Sequence, residues 1–140
     1  MNTPSNIIEV TRVAYCQRMD VGPRIFKNID HWLAFERHVY STLDNLSKDY
    51  DGGYWEFFIL SNGGFYMAPD ATKPLHIGPL ENYFEGDVSP EASGIIACLY
   101  ALSHLSFQYQ AAGEFGELYH LLYDLVYDHP EGQLIMGAIN

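Results

Sequence analysis

Residues 54–69 read YWEFFILSNGGFYMAP, two aromatic and aliphatic runs on either side of Ser61-Asn62-Gly63-Gly64. Aromatic and β-branched residues favour strands. Asn and Gly accept the positive φ angles that tight turns require, so this stretch predicts a β-hairpin. Pro69 ends the second strand or confines it to a sheet edge, because proline cannot donate a ladder hydrogen bond.

The first strand of this hairpin has two aromatic faces. Alternate residues of a strand point to opposite sides, so Tyr54 and Glu56 share one face and Trp55 and Phe57 the other. One face must pack on helices. The other face is either a second layer of core, the usual place for large aromatics, or an exposed platform for a partner.

The rest of the chain alternates between helical and extended patterns. Two further strands are predicted near residues 75–77 and 82–84, the second after a turn at Gly78-Pro79, which would complete an antiparallel meander. Helical periodicity and capping residues predict the following: an irregular or extended stretch over 1–17, a short helix over 23–27, a helix from an Asp30 N-cap to about 48, a helix over 90–110 capped by Ser89, a helix over 114–128 and a short terminal turn over 133–138.

These elements predict the α+β class. We expect a small antiparallel sheet, three to four strands in a hairpin meander, packed with about four to five helices. The chain has 140 residues, the size of one domain, and no linker divides it, so residues 1–140 are expected to form a single domain.

The charge of the chain is strongly and unevenly negative. There are 18 Asp and Glu residues against 7 Lys and Arg, a formal net charge of −11. Residues 1–73 hold 9 acids and 7 bases, whereas residues 74–140 hold 9 acids and no base, so their net charges are −2 and −9. A phosphate-binding protein needs the opposite sign, so no direct nucleic-acid binding is expected. An anionic body instead attracts basic protein surfaces.

Targeting and redox signals are weak. The first residues have no basic and apolar signal-peptide pattern, and no apolar run is long enough for a membrane span, so a cytoplasmic location is expected. Cys16 and Cys98 fit no zinc or redox motif, and buried free thiols are expected.

One cluster could carry metal chemistry. Glu117, His120 and Asp124 fall on one face of a predicted helix, and Glu-x-x-His occurs in di-metal helical bundles. Such sites need a second pair of this kind, which the sequence lacks. No nucleophile motif is found either. We therefore expect no catalytic residue, metal or cofactor, and keep a metal-dependent enzyme as an alternative.

The hairpin region resembles a known family. Residues 49–58, DYDGGYWEFF, and 60–69, LSNGGFYMAP, are similar to the signature of the ArdB/KlcA antirestriction family, as is the segment over residues 89–102. The resemblance implies a small α+β protein of plasmids or prophages that protects incoming DNA from host type I restriction–modification enzymes. It supplies no catalytic residue.

The resemblance and the charge together predict a contact surface for a subunit of the restriction enzyme, with aromatics as anchors and acids that steer binding. The predicted contact residues are Tyr54, Trp55, Glu56, Asn62, Phe65, Tyr66, Glu81, Glu85, Asp87 and Glu91. Two alternatives remain. One is a DNA mimic in the enzyme's DNA groove, although nine acids match only about 15 Å of duplex charge. The other is an acidic plasmid-maintenance adaptor without antirestriction activity.

Overall fold

A computed structural model describes residues 7–140. This part of the chain contains five strands, five α-helices and one 3-10 helix, which confirms the α+β class. The elements in chain order are β1 (Val10–Arg12), the 3-10 helix (Tyr15–Asp20), α1 (Val21–Ile25), α2 (Ile29–Leu46), β2 (Trp55–Leu60), β3 (Phe65–Pro69), β4 (Leu75–Ile77), β5 (Gly86–Val88), α3 (Pro90–Gln108), α4 (Glu114–Val126) and α5 (Gly132–Ile139).

The predicted hairpin is confirmed as β2–β3. These antiparallel strands place Phe57 opposite Met67, and β1 pairs with the other edge of β2. Gly63 has a φ of 95°, the left-handed conformation that the turn requires. The amide of Leu60 donates to the carbonyl of Gly64 at 2.9 Å and closes the loop.

The strands after the hairpin form a separate sheet. β4 and β5 pair with each other, with Leu75 opposite Val88, and are not hydrogen-bonded to β3. The meander therefore divides into two small sheets. The prediction of a strand at residues 82–84 was wrong, because these residues form the turn between β4 and β5, and the strand begins at Gly86.

Helix α3 lies at the centre of the protein. It packs against β3, α2, α4 and α5, and most of its side chains are buried on every side, as expected for a core helix. It begins as predicted, because the Ser89 hydroxyl accepts a hydrogen bond from the amide of Ala92 at 3.0 Å. A Cβ atom at Gly94 would lie 2.4 Å from the Met67 carbonyl oxygen, so glycine lets α3 rest directly on β3.

Helix α2 covers the same core from another side. Its predicted stripe is confirmed, with Phe35, Val39 and Leu43 fully buried. Its N-cap is Asn28 rather than Asp30, and the Asn28 side chain accepts from the Asp30 amide at 2.8 Å. Both residue types cap well, so the sequence did not distinguish them.

Two further observations concern the whole described chain. None of the helices in residues 7–140 is both long and apolar enough to cross a membrane.

Cys98 is buried, as expected, and burial raises the pKa of its thiol to about 12. Cys16, in contrast, is exposed in the 3-10 helix, so the expectation of two buried thiols was half wrong.

Candidate functional site

Three of the aromatic residues predicted as contacts lie in the core. Trp55 is 4% exposed, Phe65 1% and Tyr66 fully buried. The ring of Phe65 lies 5.3 Å from that of Phe35, centroid to centroid, within an aromatic cluster. We correct the predicted surface accordingly, because these side chains are covered by the protein itself. Tyr54, at 69% exposed, remains available to a partner.

Glu56 is bound by two arginines. Its carboxylate accepts from Arg12 at 2.7 Å and from Arg18 at 2.5 Å, and the hydrogen bond from Arg12 is the main reason that its pKa lies below the usual range. The Arg18 guanidinium also lies over the ring of Phe57, 5.5 Å from its centroid. Glu56 therefore ties the N-terminal segment to the sheet, and its charge is already compensated.

Asn62 fixes the hairpin turn. Its side-chain oxygen accepts from the Gly64 amide at 2.9 Å, and its side-chain nitrogen donates to the Leu121 carbonyl at 2.9 Å. The turn is thus attached to α4. These contacts give Asn62 a structural role that needs no partner.

Glu91 lies in a hydrogen-bonded network beside a groove of about 430 Å³. It accepts from the Tyr66 hydroxyl at 2.7 Å and pairs with Nε2 of His129 at 2.8 Å. The Glu131 amide donates to Nδ1 of His129 at 2.9 Å, so in the neutral ring the proton is on Nε2 and faces Glu91. The carboxylate of Glu131 in turn accepts from the amide and the hydroxyl of Ser89.

This network favours the protonated form of the Tyr66 hydroxyl and the ionised form of the Glu91 carboxylate. The hydrogen bond from His129, followed by that from Tyr66, lowers the pKa of Glu91, and burial is the main reason that the pKa of Tyr66 is raised. A phenol of raised pKa is a poor nucleophile or base. The network joins β3, the start of α3 and the turn before α5, and we assign it to the scaffold.

The remaining predicted acids lie in β5, in the case of Asp87, or in the connection between β4 and β5, in the case of Glu81 and Glu85. We call residues 75–88 the acidic ribbon. His76 in β4 places Nδ1 2.6 Å from Asp87 and Nε2 2.7 Å from Glu85. The hydrogen bonds to Glu85 and then to Asp87 raise the pKa of His76, since the imidazolium can donate from both nitrogens. Both carboxylates stay at least half exposed.

The two strands of the ribbon are joined by residues 78–85, and within this connection residues 80–84 form a closed turn that we call the Tyr83 turn. The Tyr83 amide donates to the Leu80 carbonyl, and the Leu80 amide donates to the Phe84 carbonyl, both at 2.9 Å. Asn82 fixes the turn to α5, since its side-chain nitrogen lies 3.1 Å from the Gly137 and Ala138 carbonyl oxygens. Glu81 is exposed at its tip.

Tyr83 has an unusual backbone and an unusual environment. Its φ is +71°, the left-handed region, and its side chain is 94% exposed. A three-residue hairpin loop needs one residue in this conformation, for which glycine is the favoured choice. Holding another residue there costs of order 1–3 kcal/mol. Sequence reasoning missed Tyr83, although its position one residue after Asn82 and three before Gly86 marked a turn.

The histidine–carboxylate alternative gains no support from the geometry. Glu117, His120 and Asp124 are exposed on the outer face of α4. Among residues 7–140, no group of three or more His, Cys, Asp and Glu side chains is arranged to hold a metal ion. His31, which pairs with Glu114 at 2.6 Å, joins α2 to α4.

Comparisons with known proteins agree with the resemblance in the hairpin. The family model described as "Antirestriction protein" matches residues 48–140. The antirestriction protein KlcA of Escherichia coli is 36% identical over 148 aligned residues, covering all of both chains. An uncharacterised Escherichia coli K12 protein, YafX, is 33% identical and covers 99% of this chain and 92% of its own.

A solved structure gives the same result at the level of the fold. It superposes with a TM-score of 0.88 at 37% identity over the whole of both chains. It comes from work on KlcA and ArdB that describes a novel fold and antirestriction activity against type I DNA restriction systems in vivo but not in vitro. With the family model matching well over half of its length and full-length relatives above 30% identity, this chain belongs to the antirestriction protein family.

Proposed function

We propose that this protein protects incoming DNA from type I restriction by binding, without catalysis, to a subunit of the restriction enzyme. The observation that carries the proposal is the full-length likeness to the KlcA and ArdB structure, at 37% identity and a TM-score of 0.88. The activity described for those proteins is directed against type I systems.

The acidic ribbon is the surface that best suits this role. Glu81, Glu85 and Asp87 are exposed on it, the last two beside His76, whereas Glu56 and Glu91 hold different elements of the fold together. Exposed acids raise the rate at which a basic partner surface is encountered and make that rate sensitive to salt. The half of the chain that contains the ribbon has nine acids and no Lys or Arg. Within the ribbon, His76 offsets part of the charge of Glu85 and Asp87, so Glu81 contributes most directly to the remaining negative field.

The DNA-mimic alternative fits less well. A mimic needs its carboxylates in one continuous stripe, but the acids are divided between the ribbon, the Glu91 network and the outer face of α4. The KlcA and ArdB work describes activity in vivo but not in vitro, whereas a decoy in the DNA groove, like any contact with the purified enzyme alone, should act in vitro as well. We therefore propose a contact that forms in the cell, and its test must be made there.

The first test is the plating efficiency of unmodified phage on a type I restricting host, with and without this gene. We expect the gene to restore plating. A type II restricting host should show no recovery, and phage already modified by the type I system should plate equally in both cases. Unchanged plating with soluble, folded protein would contradict the proposal and favour the adaptor alternative.

The second test asks whether the acids of the ribbon matter. The variant Glu81→Gln/Glu85→Gln/Asp87→Asn removes three exposed charges, and we expect it to protect less well than the parent. The matched control, Glu117→Gln/Asp124→Asn/Asp128→Asn, removes three exposed charges from α4 and the turn that follows it. Equal loss in both variants would indicate a general effect of net charge, and no loss in either would exclude acidic steering.

A further inference from the structure

The Tyr83 turn has a residue that the fold does not require. Glycine or asparagine would adopt the left-handed conformation there with less strain. A strained residue is usually compensated by burial or hydrogen bonding, but Tyr83 is 94% exposed, the largest value among the exposed large hydrophobic side chains in residues 7–140. Observed backbone strain concentrates at functional positions. A contact with another molecule would therefore explain why position 83 is a tyrosine.

A groove with a mixed polar and apolar lining lies directly beside this turn. Its volume is about 500 Å³. Leu46, Leu80 and Ile139 supply apolar walls, and Tyr100, Glu81 and three asparagines (Asn45, Asn82 and Asn140) supply polar groups. The walls are fixed in place, because the Tyr100 hydroxyl donates to the Ala138 carbonyl at 2.6 Å and the Gly78 amide to the Leu46 carbonyl at 2.9 Å. The groove is therefore formed before any partner binds, which lowers the entropy cost of association.

The charges around the groove define its occupant. Glu81 lines it, Glu85 and Asp87 follow on the same ribbon as partners of His76, and the lining contains no Lys or Arg. An exposed tyrosine ring attracts an Arg or Lys side chain through its π face, and neighbouring carboxylates strengthen that attraction. Nucleic acid is repelled by the same charges. A second copy of a chain of net charge −11 is a poor match as well.

We infer that the Tyr83 turn and the adjoining groove dock a segment of the restriction subunit that bears an Arg or Lys next to an apolar side chain. The cation lies on the Tyr83 ring near Glu81, and the apolar side chain enters the groove. This inference rests on the proposed function and names the part of the surface that anchors the contact. Aromatic anchors of this kind carry most of the energy of an interface.

The deciding variant is Tyr83→Gly, which removes the aromatic ring and relieves the strain of the positive φ angle. We expect its melting temperature to equal or exceed that of the parent, while phage protection falls to the level of the empty vector. Tyr83→Asn, which also tolerates positive φ, should behave in the same way. Tyr83→Phe keeps the aromatic face and should protect. Phe107→Ala, which truncates another exposed aromatic at 72%, is the matched control and should protect fully.

A second measurement identifies the occupant. With p-benzoylphenylalanine in place of Tyr83, irradiation of restricting cells should cross-link the protein to a subunit of the restriction enzyme, within a peptide containing Arg or Lys. The same probe at Phe107 should not. A cross-link to a second copy of the chain or to DNA would overturn the inference, as would a Tyr83→Gly variant that protects like the parent or melts at a markedly lower temperature.

The failures of the two proposals are distinguishable. If the parent chain does not protect phage, the proposed function is wrong and the docking inference falls with it. If the parent protects and Tyr83→Gly protects equally, the docking inference alone is wrong.

Discussion

The β2–β3 hairpin and the acidic ribbon are both antiparallel strand pairs, but they differ in how far their side chains are buried. Every residue of β3 is buried, because α3 packs against the strand, Phe65 lies against Phe35, and the ring of Phe58 stacks on that of Tyr66 at 4.7 Å. The ribbon buries only one face: Leu75 and Ile77 point inward, whereas His76 between them carries an exposed network of acids.

This contrast shows that the most distinctive stretch of the sequence is not the best candidate for contact with a partner. A dense run of aromatics identifies a scaffold, since large aromatic rings stabilise a protein most when buried. The surface available to a partner consists of less conspicuous residues that alternate with the core, here acids and one tyrosine in a turn. The variants below test this division between scaffold and surface.

The largest effect is expected from Phe65→Ala in the hairpin. Removing a fully buried ring leaves a cavity next to Phe35 and should lower the free energy of unfolding by about 3–5 kcal/mol. Tyr54→Ala, in the same hairpin but 69% exposed, should change it by no more than about 0.5 kcal/mol. Urea denaturation followed by circular dichroism measures both. Equal effects of the two substitutions would contradict the division of the hairpin into buried and exposed aromatics.

Local patterns explain what the sequence predicted well. The hairpin turn, the buried stripe of α2 and the Ser89 cap of α3 each depend on residues within a few positions of one another, so their physics is visible in the linear sequence. The resemblance to the antirestriction family also depends on such a continuous stretch.

Contacts between residues that are distant in the sequence explain which features the sequence patterns did not predict. His129 meets Glu91 across 38 positions, and Arg18 meets Glu56 across the same number, with no periodic pattern to indicate either. The shift of the predicted strand from 82–84 to 86–88 has a local cause instead. Tyrosine favours strands, so the sequence predicted a strand at position 83, but the residue adopts the left-handed conformation of a turn.

A smaller effect is expected where helix α3 meets the hairpin. In Gly94→Ala the new methyl would lie 2.4 Å from the Met67 carbonyl oxygen and 2.5 Å from the Ala68 Cα, so the helix must move away from β3. We expect a loss of about 1–3 kcal/mol, typical of overpacking.

The matched control is Gly116→Ala in α4, where an added Cβ meets nothing within 4 Å. Alanine should stabilise this helix by about 0.5–1 kcal/mol, because it restricts the unfolded chain more than glycine does. Opposite signs for the two substitutions are the expected result in thermal unfolding. A neutral Gly94→Ala would show that the contact between α3 and β3 is less tight than described.

The smallest effect concerns Glu91, the acid that joins the hairpin to the network around His129. Its pKa is lowered in the folded state by hydrogen bonds from His129 and then Tyr66, so it stabilises the fold above its ordinary pKa of 4.5. This stabilisation is lost as the pH falls below 4.5 through the lowered value.

At pH 7, Glu91→Gln should therefore reduce stability by less than about 1 kcal/mol, since the half-exposed carboxylate is screened by water. The difference from the parent should shrink as the pH is lowered from 5 to 3. Tyr66→Phe, which removes the smaller of the two hydrogen-bond contributions, should retain part of the pH dependence. The urea concentration at the midpoint of unfolding, measured for each variant and the parent at each pH, gives these differences in stability. If Glu91→Gln and the parent lose stability in parallel on acidification, Glu91 is not engaged as described and belongs instead with the free acids of the surface.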